Sequence, residues 1–368
     1  MAKQDPYQAS GVDYELLDSG KRTAVEAALA TSHWLGMRGG AAVDASRGES
    51  AFVFEYEGRS FAFVMEGLGT KSVVAQMYYE ATGEDRFASV AYDTVAAIVN
   101  DLCSVGALPL VTNAYFATGG SEWYADVARS RSLIQGWTAA CDTAECTWGG
   151  GESPSLVGLL NDGALEIAGT SVGVVPGDAR PVLGNDLAPG DAIVLVQSNG
   201  LHSNGAALAR SVAGRLGEGL LTRLPSGVAF GEALLTPGVI YVPLVARILS
   251  SGIRPSYLSH ITGHGLLKIM RPRKPFTYRL TALPDVPEVL QFLADHAEMD
   301  SKVAYRTLNM GVGYAVYCRE QDASSIIDLA EACGYSAMVG GRVEAGSRRV
   351  VVEPLDVVYG EAELQFAA

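Results

Sequence analysis

The segment that most constrains the fold of this chain is a short apolar run followed by a glycine-rich turn. Phe61–Val64 contains aromatic and β-branched residues and predicts a buried strand. Met65-Glu66-Gly67-Leu68-Gly69-Thr70-Lys71 follows directly. Glycines let backbone N–H groups approach phosphate, a lysine supplies positive charge, and a carboxylate can bind Mg²⁺. The spacing is not that of a Walker loop, and an ordinary strand-to-helix turn would also explain these residues.

The composition is that of a compact globular protein. The 368 residues are enough for two domains, and 48% of them are hydrophobic while 18% are charged. The formal net charge of -14 argues against binding to a nucleic-acid backbone. A small phosphorylated substrate remains compatible with this charge, because Mg²⁺ and nearby lysines can neutralise it.

The cysteines and the lengths of the apolar runs indicate the cellular compartment of the protein. The five cysteines contain no C-x-x-C pair and are odd in number, so we expect reduced thiols that mostly fill the core. No apolar run is long enough to span a bilayer, and the N-terminus lacks the apolar region of a signal peptide. These features predict a cytoplasmic protein that does not associate with membranes.

Two further segments of the first half bear on a ligand site. A helix predicted from about Ser72 to Tyr79 would direct its N-terminal dipole towards an anion at the glycine turn. Apolar residues at helical spacing predict a second helix with Asp93 as its N-cap. Asn100 and Asp101 lie among apolar neighbours of that helix. A buried carboxylate needs a metal or another cation, whereas a surface position would need neither.

The second half has a comparable strand, turn and helix. A strand is predicted at 192–197 and a helix at 206–216, with Gly200-Leu201-His202-Ser203-Asn204-Gly205 between them. Such a glycine and hydroxyl turn commonly binds an anion or another ligand. Further helices are predicted at 243–250, 286–296 and 324–333, and strands at 314–318, 337–343 and 349–353. Both halves therefore mix helices and strands.

Taken in order, the glycine-centred segments resemble one family, the aminoimidazole ribonucleotide synthetases, also called phosphoribosylformylglycinamidine cyclo-ligases. The resemblance extends from Tyr7 to about Glu353, and its specificity lies in the order and spacing of many segments. They are Tyr7–Asp13, Glu66–Lys71, Asp93 with Val99–Asp101, Gly106–Leu110, Tyr115–Gly119, Gly150–Ser153, Gly200–Gly205, Leu234–Pro237, His260–Gly263 and Tyr305–Gly311.

The resemblance implies a mixed α/β (α+β) fold of two domains. Residues 1–176 would form an N-terminal domain for ATP binding and dimerisation, and its sheet would pair with that of a second subunit into a barrel. Residues 177–368 would form a C-terminal α/β sandwich on the substrate side. The expected assembly is a homodimer.

The resemblance also implies a reaction of purine biosynthesis. ATP phosphorylates the amide oxygen of formylglycinamidine ribonucleotide, and a neighbouring nitrogen then closes the imidazole ring. Phosphorylation is needed because an amide oxygen is a poor leaving group. The protein would position the reactants and neutralise charge around the transferred phosphoryl group.

The resemblance assigns roles to particular residues. Lys71 and His260 would be catalytic, and histidine suits proton transfer because it titrates near neutral pH, although a structural hydrogen bond would also explain His260. Glu66, Asp93 and Asp101 would bind Mg²⁺. The remaining assignments are Gly67, Gly69, Thr70, Lys71, Asn100 and Glu152 for ATP, and His202, Ser203, Asn204, Thr262 and Gly263 for the substrate.

Several residues depart from the family pattern. Glu66 replaces an aspartate, His264 replaces a glycine, and the segment after Glu152 lacks a second carboxylate. Residues 37–45 also differ from the family's glycine-rich loop. Because these departures fall on ligand-facing turns, two alternatives stay open. One is a paralogue that uses ATP to activate another small substrate, and the other is a non-catalytic nucleotide-binding dimer.

Overall fold

The computed structural model describes residues 14–177 and 179–364. Two β-sheets, one in each half of the chain, form the scaffold, and helices pack against them. The predicted mixed α/β fold is therefore confirmed. The Tyr7–Asp13 segment of the resemblance lies outside the described residues.

The first half contains a six-stranded sheet with the order β1-β2-β3-β6-β4-β5. All neighbours are antiparallel except β4 and β5, which are parallel. The strands are β1 (Gly40–Ala42), β2 (Phe52–Tyr56), β3 (Arg59–Gly67), β4 (Leu108–Thr118), β5 (Thr147–Glu152) and β6 (Leu165–Val174). The helices are Tyr14–Thr31, His33–Gly36, Lys71–Thr82, Phe87–Cys103 and Val127–Thr143.

The second half contains a seven-stranded sheet with the order β13-β12-β9-β11-β7-β10-β8. Its strands are β7 (Ala192–Gln197), β8 (Tyr257–His260), β9 (Phe276–Leu280), β10 (Val312–Cys318), β11 (Ala337–Ala345), β12 (Arg349–Val352) and β13 (Val357–Gly360). The helices are Ala206–Ala213, Phe230–Leu234, Val242–Ser250, Glu288–His296, Ser301–Thr307 and Ala323–Ala332.

Strand β3 shows how the sheet of the first half is built. Ala62 and Val64 are buried on one face, whereas Phe63 and Met65 are exposed on the other, as the two-residue period of a strand requires. The β2–β3 turn has positive φ at both Glu57 (49°) and Gly58 (74°). Such a turn matches the twist of a hairpin, and strand β3 of this hairpin carries Glu66 near its end.

The element predictions differ from the structure in identifiable places. The prediction of Asp93 as an N-cap was wrong, because the helix begins at Phe87 and Asp93 lies inside it. Strands β1, β5, β8, β9 and β13 were not predicted. Strand β5 is glycine-rich, and β-propensity gives little weight to such a sequence. The proposed domain boundary at residue 176 stays a prediction; it falls between β6 and β7.

None of the helices in the described part of the chain is both long and apolar enough to cross a membrane.

Candidate active site

A cavity of about 840 Å³ lies between the two halves of the chain. The first half contributes the end of β3 with the glycine turn (Glu66–Thr70) and Asp101. The second half contributes Ser203, Asn204, His260 and 262–264. We call this cavity the cleft. It brings together ten of the residues predicted for the site: Glu66, Gly67, Gly69, Thr70, Asp101, Ser203, Asn204, His260, Thr262 and Gly263.

The glycine turn is open towards a ligand. Gly69 has a φ of +69°, and among the described residues no atom lies within 4 Å of where its Cβ would be. Thr70 precedes the helix Lys71–Thr82, is exposed, and makes no capping hydrogen bond with its side chain. An exposed backbone turn at the start of a helix is suited to bind phosphate oxygens.

Asp101 and His260 form a buried pair across the two halves. The His260 Nδ1 lies 2.6 Å from Asp101 Oδ1. Burial lowers the pKa of His260, although Asp101 opposes this shift. Burial alone would raise the pKa of Asp101, but the hydrogen bond and charge of His260 outweigh it and hold that pKa below its ordinary value. An ionised Asp101 therefore orients a neutral imidazole whose Nε2 can accept a proton.

Glu66 lies against the same pair. Burial, and then the negative charge of Asp101, raise the pKa of Glu66 to about 7. Glu66 therefore keeps a proton up to near neutral pH beside the ionised Asp101. Two neighbouring carboxyl groups form a donor set for a hard divalent cation, which would replace that proton.

Lys71 does not face the cleft; it lies beneath the glycine turn in a buried ion pair. Its Nζ lies 2.5 Å from Asp93 Oδ2 and donates to the backbone oxygen of His202 at 2.7 Å. Asp93 Oδ1 accepts a hydrogen bond from the backbone N–H of Gly238 at 2.6 Å. Lys71 and Asp93 therefore join two helices of the first half to two loops of the second.

The other predicted residues lie outside the cleft or below its surface. Asn100 is buried and bonds to the backbone of Val239 and Tyr241. His202 is buried at a φ of 59°, and burial lowers its pKa to about 3. Glu152 is exposed at the end of β5, beside a separate cavity of about 230 Å³.

The cleft lining also includes four charged or polar side chains that the sequence analysis did not name: Glu49, Ser50, Lys268 and Arg271. Lys268 donates to Thr262 Oγ1, and Arg271 donates to Ser50 Oγ at 2.8 Å and lies 3.6 Å from Glu49 Oε2. The sequence carried a signal for two of them, because residues 268–274 contain four cationic side chains in a strongly acidic chain.

The donor set fits Mg²⁺ only in part. Within the described residues, no group of three or more histidine, cysteine or acidic side chains is arranged to hold a metal ion. Glu66 and Asp101 fit such an ion, and a phosphorylated ligand would supply further oxygens, as is usual for Mg²⁺. Asp93 is held by Lys71 and Gly238 instead.

The fold and the cleft define the class of protein to which the chain belongs. A family model described as AIR synthase related protein, N-terminal domain, matches residues 48–175, and one described as the C-terminal domain matches residues 188–353. The chain belongs to the AIR synthase related family, within it to the group of phosphoribosylformylglycinamidine cyclo-ligases. The resemblance found in the sequence is thereby confirmed.

Two relatives and two solved structures illustrate the match. The chain is 34% identical over 294 residues to a phosphoribosylformylglycinamidine cyclo-ligase of Carboxydothermus hydrogenoformans, covering 78% of this chain and 81% of that protein. Identity to the Lachnospira eligens protein of the same name is 32% over 292 residues, covering 78% and 82%.

Among solved structures, hydrogenase maturation protein HypE in complex with ATP has a TM-score of 0.59 at 17% identity, covering 81% of this chain and 83% of that one. Thiamine monophosphate kinase from Aquifex aeolicus has a TM-score of 0.54 at 16% identity, covering 81% and 90%. At these identities the likeness shows the fold alone.

Proposed function

We propose that this chain is an ATP-dependent cyclo-ligase that converts formylglycinamidine ribonucleotide to aminoimidazole ribonucleotide, a step of purine biosynthesis. The observation that carries the proposal is the cleft, where an open glycine turn with two carboxyl groups faces a loop with a buried histidine. The relatives with this name match most of the chain. A role in purine biosynthesis would place the protein in the cytoplasm.

The glycine turn would bind the phosphates of ATP. Gly67, Gly69 and Thr70 offer backbone and hydroxyl groups at the start of a helix. Lys71 would act indirectly by holding this turn against the second half of the chain, because its ammonium group is already paired with Asp93. Glu66 and Asp101 would hold Mg²⁺, which neutralises phosphate charge when it is bound.

The substrate would lie on the opposite wall. The amide oxygen attacks the γ-phosphorus of ATP, and the bond from that phosphorus to the ADP oxygen breaks. The neighbouring nitrogen then attacks the activated carbon, phosphate leaves with the former amide oxygen, and the nitrogen loses a proton. Asn204 and Thr262, which line the cleft, would orient the substrate, and the Nε2 of His260 would receive the proton.

Two cationic side chains that the sequence analysis did not assign would supply positive charge to the cleft. Lys268 and Arg271 line the same wall as Thr262. Lys268 donates to Thr262 Oγ1, whereas Arg271 is held by Ser50 Oγ, Glu49 and the backbone oxygen of Gly48. An arginine fork and an ammonium group are suited to a phosphate ester. We assign them to the phosphorylated end of the substrate.

The proposed assembly is a homodimer formed through the outer face of the first sheet. Phe63, Met65 and Leu110 are 45%, 66% and 44% exposed on β3 and β4. Exposed apolar side chains that share one face of a sheet favour an interface, and a second copy of the sheet would cover them.

The proposal is tested by following ADP release with ATP, Mg²⁺ and formylglycinamidine ribonucleotide, and by detecting the imidazole product. We expect substrate-dependent ADP and the product in equal amounts. His260→Ala should lower kcat by about 100-fold or more, as expected for loss of a general base. His296→Ala, which alters an exposed histidine outside the cleft, is the matched control and should leave kcat unchanged.

The second candidate is a paralogue that activates a different substrate, and one observation favours it. His264 lies in the cleft with a φ of 70°, at a position where the family has glycine. Its ring reduces the space that a ligand would otherwise use. ATP binding without substrate-dependent release of ADP would favour this paralogue over the cyclo-ligase. If the double variant Glu66→Asp with His264→Gly then formed the imidazole product, these two residues would be the cause of the changed activity. Failure to bind nucleotide at all would exclude both enzymatic readings and leave only a structural role for the protein.

A further inference from the structure

We propose that Cys141 and Cys146 form a dithiol that a hydroperoxide closes to an intramolecular disulfide. Both residues lie outside the proposed active site: as far as the described residues form it, the cleft lining contains neither cysteine. The inference is independent of the proposed cyclo-ligase activity.

The end of the helix Val127–Thr143 brings these two residues together. The backbone N–H of Cys146 donates to the oxygen of Cys141 at 3.0 Å, and the N–H of Glu145 donates to the oxygen of Asp142 at 3.2 Å. Glu145 has a φ of 52°. This is a Schellman motif, in which the side chains at the first and last of these six positions normally make an apolar contact.

In this chain both positions of that contact are cysteines, so the motif directs their two side chains towards each other. The backbone hydrogen bond between the two residues keeps their Cα atoms close, as a disulfide requires. Both thiols are free in the structure.

The surroundings make one of the two sulfurs easy to ionise. The hydrogen bond from Cys146 lowers the pKa of Cys141 to about 7, although burial opposes this shift. Thr112 Oγ1 lies 3.3 Å from the Cys141 sulfur and can donate to it. Cys141 is buried and its partner Cys146 is half-buried, so only a small oxidant such as hydrogen peroxide reaches the Cys141 thiolate.

The reaction balances with the hydroperoxide as oxidant. The Cys141 sulfur, as thiolate, attacks the peroxide oxygen, the O–O bond breaks, and a sulfenic acid and water form when hydrogen peroxide is used. The Cys146 thiol then gives up its proton and attacks the Cys141 sulfur, the S–O bond breaks, and hydroxide leaves as water. Two thiols and one peroxide thus give one disulfide and two waters.

The remaining cysteines lack this arrangement. Burial raises the pKa of Cys103 and of Cys318 to about 12, which keeps both as unreactive thiols. Cys333 is half-buried, and burial raises its pKa as well. Oxidation should therefore be selective for the pair at the end of the helix.

The test treats the reduced full-length protein with hydrogen peroxide and then cleaves it after glutamate under denaturing, thiol-blocked conditions. Cleavage after Glu145 separates the two cysteines in the chain. We expect two peptides joined by a bond that dithiothreitol breaks, and a mass lower by two hydrogen atoms. Cys146→Ser should abolish the link and leave Cys141 as a sulfenic acid that dimedone labels.

Cys333→Ser is the matched control, because it removes a half-buried thiol elsewhere; the link should form as in the native chain. Dimedone-labelled or over-oxidised Cys141 in the native protein without a link would overturn the proposal. So would five thiols that all stay free at peroxide concentrations that oxidise an exposed model thiol, or a link to another cysteine.

Discussion

At the scale of single residues, the Glu66–Asp101 pair links proton binding to cation binding. The pKa of Glu66 is raised to about 7 by burial and by Asp101, whereas that of Asp101 lies below its ordinary value. Glu66 is therefore the group that loses a proton near neutral pH. A divalent cation at this pair has to displace that proton, so the pH controls its affinity.

We predict that Mg²⁺ affinity falls as the pH decreases below about 7, by up to tenfold per pH unit, because one proton competes with one ion. Glu66→Gln should weaken binding and remove this slope. Calorimetric titration of the protein with Mg²⁺ between pH 6 and pH 8 checks it. The control is Glu152→Gln, which alters an exposed carboxylate and should keep the slope. A native affinity independent of pH would contradict the assignment.

Lys71 and Asp93 form a buried ion pair on which the stability of the fold depends. Their side chains are 0% and 1% exposed, so each charge depends on the other. The neighbouring backbone groups of His202 and Gly238 complete their hydrogen bonds. Removal of one member leaves a buried charge without its partner.

We predict that Lys71→Met lowers the free energy of unfolding by about 3–5 kcal/mol, because Asp93 keeps only its bond to a backbone amide. Urea denaturation measures this loss. In the double variant Lys71→Met with Asp93→Leu, the loss should be smaller than the sum of the two single losses. Arg342→Met breaks an exposed pair with Glu344 and, as control, should cost less than about 1 kcal/mol. A loss that small in Lys71→Met would refute the interpretation.

At the scale of elements, the helices Phe87–Cys103 and Val127–Thr143 pack closely because glycine lies at their contact. A Cβ at Gly136 would lie 2.0 Å from the backbone oxygen of Ala88. The same helix pair lies on the sheet that carries β3 and β4, so its spacing affects the position of Asp101 in the cleft.

We predict that Gly136→Ala destabilises the fold by about 2–3 kcal/mol, since the backbone of the facing helix has to move away. Gly214→Ala is the control. Its φ is -64°, and its Cβ would meet other atoms at an ordinary 3.6 Å, so it should be neutral or slightly stabilising. Urea unfolding midpoints of the two variants should therefore move apart; equal midpoints would show that the helices separate without cost.

At the scale of the whole molecule, the proposed homodimer would form through the exposed face of the first sheet. Met65 and Phe63 project from β3 on the face opposite the buried Ala62 and Val64. Met65 is also the neighbour of Glu66, so an interface on this face would lie next to the cleft.

We predict that the native chain sediments as a dimer and that Met65→Glu shifts it towards the monomer, because a charge would be buried in the interface. Sedimentation equilibrium measures the change. Val157→Glu alters a side chain that is 77% exposed in a loop, and the dimer should persist. A native protein that sediments as a monomer would exclude this face as an interface.

The sequence alone determined the fold class, most of the helices and strands, and ten of the cleft residues. It could do so because these features are local: the periodicity of apolar residues, the glycine turns, and the order of short motifs along the chain. The glycine turn is one example, since Gly69 and Thr70 lie in the cleft where the motif placed them.

Only the tertiary structure decided which charges face the cleft and which are paired beneath it. Lys71 and Asp93 have the residue types of a ligand site, yet they neutralise each other because the packing of two helices brings them to 2.5 Å. Lys268 and Arg271 reach the cleft from a segment with no glycine motif. The physical reason is that charge pairing depends on distances between residues far apart in the chain, and local sequence patterns do not specify those distances.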